Sequence, residues 1–339
     1  MFLRKIIFAN LKLNKTRTFI LFGVVFIYLK TICNLNNKEE TEHLLNPELN
    51  TYLNFVLQPS RHLCRPRIDS RSIESKFVFA YAVVRANDFE KRQTIRQTWA
   101  NASSFQDIIK VAFIMGLSND EKTNELIKTE NKIFSDIIQG NFLDSYRNLS
   151  YGLLTVWKWI KNSCPKAKYI FRVQDDVILN SFNLKKFLLN ETAYFPSFKL
   201  DSPKSTFICK VWKDAFIATG KEYENHQHYI SPQELSQILN NITKYPTYCS
   251  GPGIMMTKDL AKQLYLKSYE SKVFWIDDVY EGLLANRIAN VSYIHQEFVQ
   301  SADIISKQNN SYLLIEVDRT VKNYLAIWKQ LEDINKISV

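Results

Sequence analysis

Apolar positions along the chain fall into two alternating rhythms. Phe77-Val-Phe-Ala-Tyr-Ala-Val-Val84 is a continuous apolar run of strand length, the pattern of a strand buried on both faces. Glu90 to Trp99 then reads as helix. Ile108 to Met115 is a second strand, closed by Gly116, and Asn119 to Lys132 a polar helix. Ile137-Ile138 marks a short third strand. Leu149, Leu153, Val156 and Ile160 share one helical face. Tyr169-Ile-Phe-Arg-Val173 is a fourth strand, and Leu184 to Leu189 begins another helix. Strands alternating with helices predict an α/β fold, a sheet with crossover connections. In such sheets ligands sit beyond the carboxyl ends of the strands.

Upstream the pattern differs. Residues 34–75 are polar, carry Pro47, Pro59 and Pro66, and show no sustained apolar period, so they read as a stem or linker. Before them, residues 18–29 are uncharged and almost wholly apolar, and residues 1–17 carry Arg4, Lys5, Lys12, Lys15 and Arg17 with no acid. This predicts a cytoplasmic tail over 1–17 and a transmembrane signal anchor over 18–33, oriented by its basic flank. A cleaved signal peptide is the alternative, but no small-x-small cleavage site follows. The sheet domain is expected over 76–339, on the lumenal side.

Charge and cysteines refine this reading. The chain of 339 residues has a formal charge of +10, half of it in the first 17 residues, so the basicity does not argue for nucleic acid as a partner. No G-x-G-x-x-G, P-loop or H-E-x-x-H motif occurs. Beyond the apolar segment lie six N-x-[ST] sequons, at Asn101, Asn148, Asn190, Asn241, Asn290 and Asn309, which agree with a lumenal domain. Beyond the boundary residue Cys33, the four cysteines Cys64, Cys164, Cys209 and Cys249 permit two disulfides in three connectivities.

Two acidic pairs carry the candidate chemistry. Asp175-Asp176 closes the fourth strand, and adjacent carboxylates there are costly unless paired, hydrated or bound to a cation. A hard divalent ion, Mn²⁺ or Mg²⁺, suits such oxygen donors and leaves positions for phosphate oxygens; a turn or helix cap is the plain alternative. Asp277-Asp278 follows Phe274-Trp275-Ile276, surroundings that raise a carboxylate's pKa and make it a better base. An acidic helix start explains it equally well. Between the pairs, Tyr245 to Gly253 reads as a glycine-containing loop pinned by Cys249.

These stretches together resemble glycosyltransferase family 31, the β-1,3-galactosyltransferase and β-1,3-N-acetylglucosaminyltransferase family. The likeness runs through Glu90-Lys-Arg92-Gln-Thr-Ile-Arg96-Gln-Thr-Trp99, Asp136 to Ser150, the helix from Trp157 to Cys164, Asp175-Asp176, Tyr248 to Gly251 and Asp277 to Gly282, in the family's order. It implies a GT-A-like nucleotide-diphospho-sugar transferase sheet with helices on both faces, preceded by one transmembrane helix. The implied activity is inverting, metal-dependent transfer of a hexose from a UDP-sugar to the 3-hydroxyl of a glycan acceptor on a glycoprotein or glycolipid. Galactose is the first expectation for the sugar and N-acetylglucosamine the second. The implied location is the Golgi membrane, as a single-pass type II enzyme with a lumenal catalytic domain.

Carried over by residue, the resemblance makes Asp176 the principal carboxylate on Mn²⁺ and Asp175 its support or a nucleotide contact. Asp278 becomes the general base. Arg92 and Arg96 fall near the nucleotide or structurally beneath it, His295 at a late metal ligand, and Trp275 beside the acceptor. Three positions depart from the family. Gln174 stands where an acid usually opens the metal motif, Asp277 replaces a glutamate, and Gly152 replaces a basic residue. They leave a second reading open, a non-catalytic member that binds glycan or a partner.

Overall fold

The computed structural model describes residues 47–60, 62–64, 77–101, 105, 108–189, 205–296, 312–317 and 320–337. Apart from Pro47, these belong to one unit, Glu48–Val339. Its centre is β2 (Phe77–Val83), buried at every position but the last. A strand covered on both faces has no room for polar alternation, hence its continuous apolar sequence.

Parallel neighbours flank β2, with β3 (Ile109–Leu117) on one side and β5 (Ala167–Gln174) on the other. Beyond β3 lie β4 (Ile137–Leu143), parallel, and β1 (Phe55–Leu57), antiparallel. Beyond β5 the direction reverses at β8 (Tyr248–Thr257), which pairs antiparallel with β5 and with β7 (Thr206–Trp212). The sheet ends at β9 (Ser292–His295), parallel to β7, giving the order β1-β4-β3-β2-β5-β8-β7-β9. A small second sheet pairs β6 (Val177–Leu179) with β10 (Leu314–Glu316).

The helices follow the strands. Short α1 (Pro47–Tyr52) inserts Leu49 into the core and, with Leu53 just beyond it and β1, brings part of the segment read as a stem into the fold. α2 (Phe89–Gln97) starts at Asp88, whose side chain accepts the Lys91 amide. α3 (Glu121–Phe134) is capped by Asp120 and stopped by Ser135 in the left-handed region at φ 54°. α4 (Leu149–Ser163), α7 (Lys258–Ser268) and α8 (Asp277–Ala285) pack on one another and on the central strands. Beside them come α5 (Ser181–Leu189), short α6 (Pro232–Gln237) and α9 (Val321–Ile337). Disulfides join Cys64 to Cys164 and Cys209 to Cys249, selecting one of the three connectivities.

Two expectations change. The Tyr245–Gly253 stretch is mostly strand: β8 begins at Tyr248 and passes through both glycines to a buried Ile254-Met-Met core. The expectation of a membrane-spanning helix before the sheet is corrected as well. Among the described residues no helix is long and apolar enough to cross a membrane, and residues 18–33 lie outside those described. The architecture is therefore a mixed α/β sheet with flanking helices and no spanning helix among the described residues. Membrane anchoring, the transmembrane signal anchor and the type II Golgi-membrane topology are withdrawn with it.

Candidate active site

The parallel strands β2, β3 and β5 all end at one side of the sheet, and there the chain opens into a cavity of about 680 Å³. That volume is within the usual range for a small-molecule site. Both acidic pairs line it: Asp175 and Asp176 from the end of β5, Asp277 and Asp278 from the start of α8.

The Asp175-Asp176 turn is held from behind. Val317, just past β10, donates its amide to the Asp176 carbonyl at 2.9 Å. The buried Tyr324 of α9 donates its hydroxyl to the Val177 carbonyl at 2.9 Å and accepts the Trp99 indole N–H at 2.6 Å. Strand, helix and turn thus fix where the two carboxylates enter the cavity.

Helix α8 begins without a polar capping side chain at Ile276, so its acids serve the exposed amides themselves. Asp277 Oδ1 accepts the Asp278 amide at 3.0 Å, and Asp278 Oδ1 accepts the Val279 amide at 2.8 Å. Asp278 Oδ2 faces β8, where a Cβ added at Gly251 would stand 3.2 Å away. Gly282, one turn on, lets α8 close onto β8, because a Cβ there would meet Tyr248 Cβ at 2.5 Å. Glycine at these two positions sets Asp278 against the strand.

Beneath Asp278 runs a buried ion cluster. Arg172, from β5, donates to Asp277 Oδ2 at 2.5 Å and to Glu281 Oε1 at 3.3 Å. Burial pushes the Glu281 carboxyl up to about 8, against the pull of Arg172, so it holds its proton at neutral pH. A protonated Glu281 leaves Asp277 to balance the guanidinium. Burial, aided by the charge of Asp277, raises Asp278 to about 6; Arg172 and the Val279 and Gly251 amides oppose the rise. Such a group is ionised at neutral pH yet basic enough to accept a proton.

Arg92, Arg96 and His295 lie elsewhere. Arg92 is fully buried, pairs with Glu130 at 2.6 Å, and donates to the Arg85 and Ala86 carbonyls at 2.8 and 3.2 Å. Arg96 grips Asp136 through two bonds of 2.8 and 2.9 Å and reaches Glu130 at 2.7 Å. Both therefore brace the chain under the cavity rim. His295 sits on β9 in register with Cys209, its Nδ1 accepting the Val211 amide at 3.2 Å, and it does not line the cavity.

Several lining residues were not singled out by motif. Arg85 enters at the end of β2, 45% exposed, 4.0 Å from Asp144. His226 and His228 come from the segment between β7 and β8, which has no periodic signal, and join Tyr146 of the Asp136–Ser150 stretch. Arg172 had a signal, a charge inside an apolar strand run, which in a buried strand demands a buried partner.

Among the described residues no group of three or more His, Cys, Asp or Glu side chains converges as a ready metal cage. The donors present are the carboxylates of Asp175 and Asp176 and the amide oxygen of Gln174, all at the cavity. An all-oxygen set of this size fits Mg²⁺ or Mn²⁺ completed by substrate phosphate oxygens, and is unsuited to an all-protein cage.

A carboxylate-lined cleft at the carboxyl ends of parallel strands is where open α/β sheets bind their ligands. The family model described as Galactosyltransferase matches residues 90–297, more than half of the chain, and the chain belongs to that family. Human β-1,3-galactosyltransferase 1 is 30% identical over 202 residues, 59% of this chain and 57% of that one. The mouse UDP-GalNAc:β-1,3-N-acetylgalactosaminyltransferase 1 is 31% identical over 219 residues, 63% of this chain and 61% of that one. The match thus spans less than two thirds of each relative's length. A solved glycosyltransferase involved in glycosylation of the major capsid of PBCV-1 covers 76% of this chain and 99% of its own, at 12% identity and TM-score 0.36, too slight a likeness to bear on the fold. Membership supports an enzyme of the glycosyl-transfer type in general.

Proposed function

We propose that this chain is an inverting glycosyltransferase that moves a hexose from a UDP-sugar to the 3-hydroxyl of a glycan acceptor, forming a β-1,3 linkage. Galactose is the first candidate for the sugar and N-acetylglucosamine the second. One observation carries the reading: a half-buried carboxylate with a raised pKa, Asp278, shares a cavity with the strand-end pair Asp175-Asp176. A displacement at an anomeric carbon needs two things on opposite sides of that carbon, a base for the incoming hydroxyl and a site for the departing diphosphate.

Asp278 takes the acceptor's hydroxyl proton on its carboxylate, which the Val279 and Gly251 amides orient. As the oxygen loses its proton it attacks the anomeric carbon, and the bond from that carbon to the diphosphate oxygen breaks. Arg172 and Asp277 keep Asp278 in place from below. Asp176 and Asp175 would hold the divalent ion, which when bound supplies positive charge for the leaving diphosphate. Arg85 offers a further cation at the rim. Arg92 acts at one remove, by fixing the backbone that carries Arg85, and Arg96 secures Glu130, the carboxylate that pairs with Arg92.

The test is UDP-sugar turnover by the full-length chain across a panel of UDP-hexoses and glycosides, with Mn²⁺ and with chelator. One UDP-sugar should be consumed in a Mn²⁺-dependent way. Asp278→Asn should lower kcat by about 10²–10⁴-fold with UDP affinity retained, and Asp176→Ala should weaken Mn²⁺-dependent UDP binding. Gln174, which lowers the negative charge of the metal motif, favours the non-catalytic reading. Calorimetry showing no Mn²⁺-dependent UDP binding, together with no turnover, would decide for it.

A further inference from the structure

The strand that follows the Asp175-Asp176 turn stands outside the main sheet. Among the described residues β6 pairs with β10 alone, Val177 opposite Glu316 and Leu179 opposite Leu314. Two strands by themselves are marginal in water, so the place of the turn depends on what holds this pair. Both β10 and α9 lie past residue 297, where the match to the family ends. The carboxylates proposed for the divalent ion are thus set by a segment that the match does not include.

A single side chain makes the connection. Tyr324 of α9 is fully buried, and its hydroxyl donates at 2.9 Å to the carbonyl of Val177, the residue after Asp176. A phenol has one proton to donate, and here its oxygen accepts the indole N–H of Trp99 at 2.6 Å, which leaves that proton for Val177. Trp99, just past α2 and also fully buried, holds the far end of β6 as well. Its carbonyl accepts the Ser181 hydroxyl at 2.9 Å. Trp99 therefore brackets β6, through Tyr324 at Val177 and directly at Ser181.

Packing alone does not call for this hydroxyl, because a phenylalanine would fill the same space without burying a polar group. The metal motif supplies a reason. With Gln174 in place of an acid, Asp175 and Asp176 carry the negative charge of the motif, and both must reach one ion. A displacement of Val177 passes along the chain directly to Asp176.

We infer that Tyr324 is a positioning residue of the metal site. Its hydroxyl, oriented by Trp99, sets the Asp175-Asp176 turn where a divalent ion and a diphosphate can meet. This role rests on the transferase reading and deepens it, adding the helix α9 to the parts that site needs.

The experiment is a Mn²⁺ titration of the full-length chain with UDP present, followed by the electron paramagnetic resonance signal of free Mn²⁺. Tyr324→Phe keeps the ring and removes the hydroxyl. It should weaken Mn²⁺ by about three- to tenfold, the worth of one hydrogen bond. Trp99→Phe, which leaves the Tyr324 hydroxyl without its donor, should shift affinity the same way. Leu331→Ala is the control for a merely structural role, since Leu331 is a fully buried apolar residue of the same helix. It should lower the melting temperature and leave the Mn²⁺ affinity of the folded protein at the parent value. Hydrogen exchange without metal gives a second readout: in Tyr324→Phe the amides of β6 should exchange faster while those of β2 keep the parent rate. Equal Mn²⁺ affinity in Tyr324→Phe and the parent overturns the role. So does an equal loss in Leu331→Ala, which would make α9 a support of the fold alone. Either result leaves metal-dependent transfer standing, whereas a parent chain that binds no Mn²⁺ with UDP overturns both.

Discussion

Asp278 is a carboxylate held between two demands. In the proposed transfer it must be ionised, and as a half-buried group it resists ionising, so its pKa rises to about 6. kcat/KM for sugar transfer should therefore climb as pH rises through about 6 and level above 7. Removing the neighbouring charge by Asp277→Asn takes away one cause of the rise and leaves Arg172 closer to balance by Asp278 alone. The acid limb should then move below pH 6, read from a pH–rate profile at saturating donor. A limb that stays at 6 in Asp277→Asn would separate the titration from this carboxylate pair. At this scale the sequence was informative, because two adjacent acids behind Phe274-Trp275-Ile276 announce an unusual carboxylate. It was silent on His226 and His228, whose meaning depends on where their connection between β7 and β8 meets the one that carries Tyr146.

At the scale of elements, α8 and β5 are joined through charges that neither element could bury alone. Glu281 is fully buried, with a pKa raised from the ordinary carboxylate range to about 8. The folded chain thus holds this proton more tightly than the unfolded one. The associated stability is fully present below about pH 4.5 and is lost as pH rises from there to about 8. Glu281→Gln keeps the shape without the titration, so it should match the parent near pH 4. At pH 8 it should be more stable by about 2–4 kcal/mol, measured by denaturant melts across that range. Arg172→Met should act oppositely, destabilising by about 3–5 kcal/mol at pH 7, because it leaves Asp277 buried without its partner. The elements themselves were largely legible: β2, β3, α4 and β5 begin and end within a few residues of where their apolar runs do. β8 was not. Tyr248-Cys-Ser-Gly-Pro-Gly opens with residues typical of turns, and only cross-strand pairing with β5 and β7 makes it a strand. Gly251 and Gly253 serve that strand by admitting Asp278 and Leu314 respectively.

Across the whole molecule, the two disulfides close loops of different reach and stand at different distances from the chemistry. Cys64–Cys164 spans 100 residues and ties the segment that carries α1 and β1 to the end of α4. Cys209–Cys249 spans 40 residues and ties β7 to β8 two residues from Gly251, against which Asp278 rests. Loop entropy ranks the longer first, at about 4–5 kcal/mol against about 4 for the shorter. Function should rank them the other way. Cys64→Ala/Cys164→Ala should lower the melting temperature most while leaving the acceptor KM of the remaining folded protein near that of the parent. Cys209→Ala/Cys249→Ala should lower it less and yet raise the acceptor KM, because β8 carries the wall that faces the base. Thermal melts and steady-state kinetics on the two double variants test this directly. If both variants lose stability and affinity in the same proportion, β7 and β8 are held by the sheet rather than by the bridge, and the geometry around Asp278 belongs to strand pairing alone.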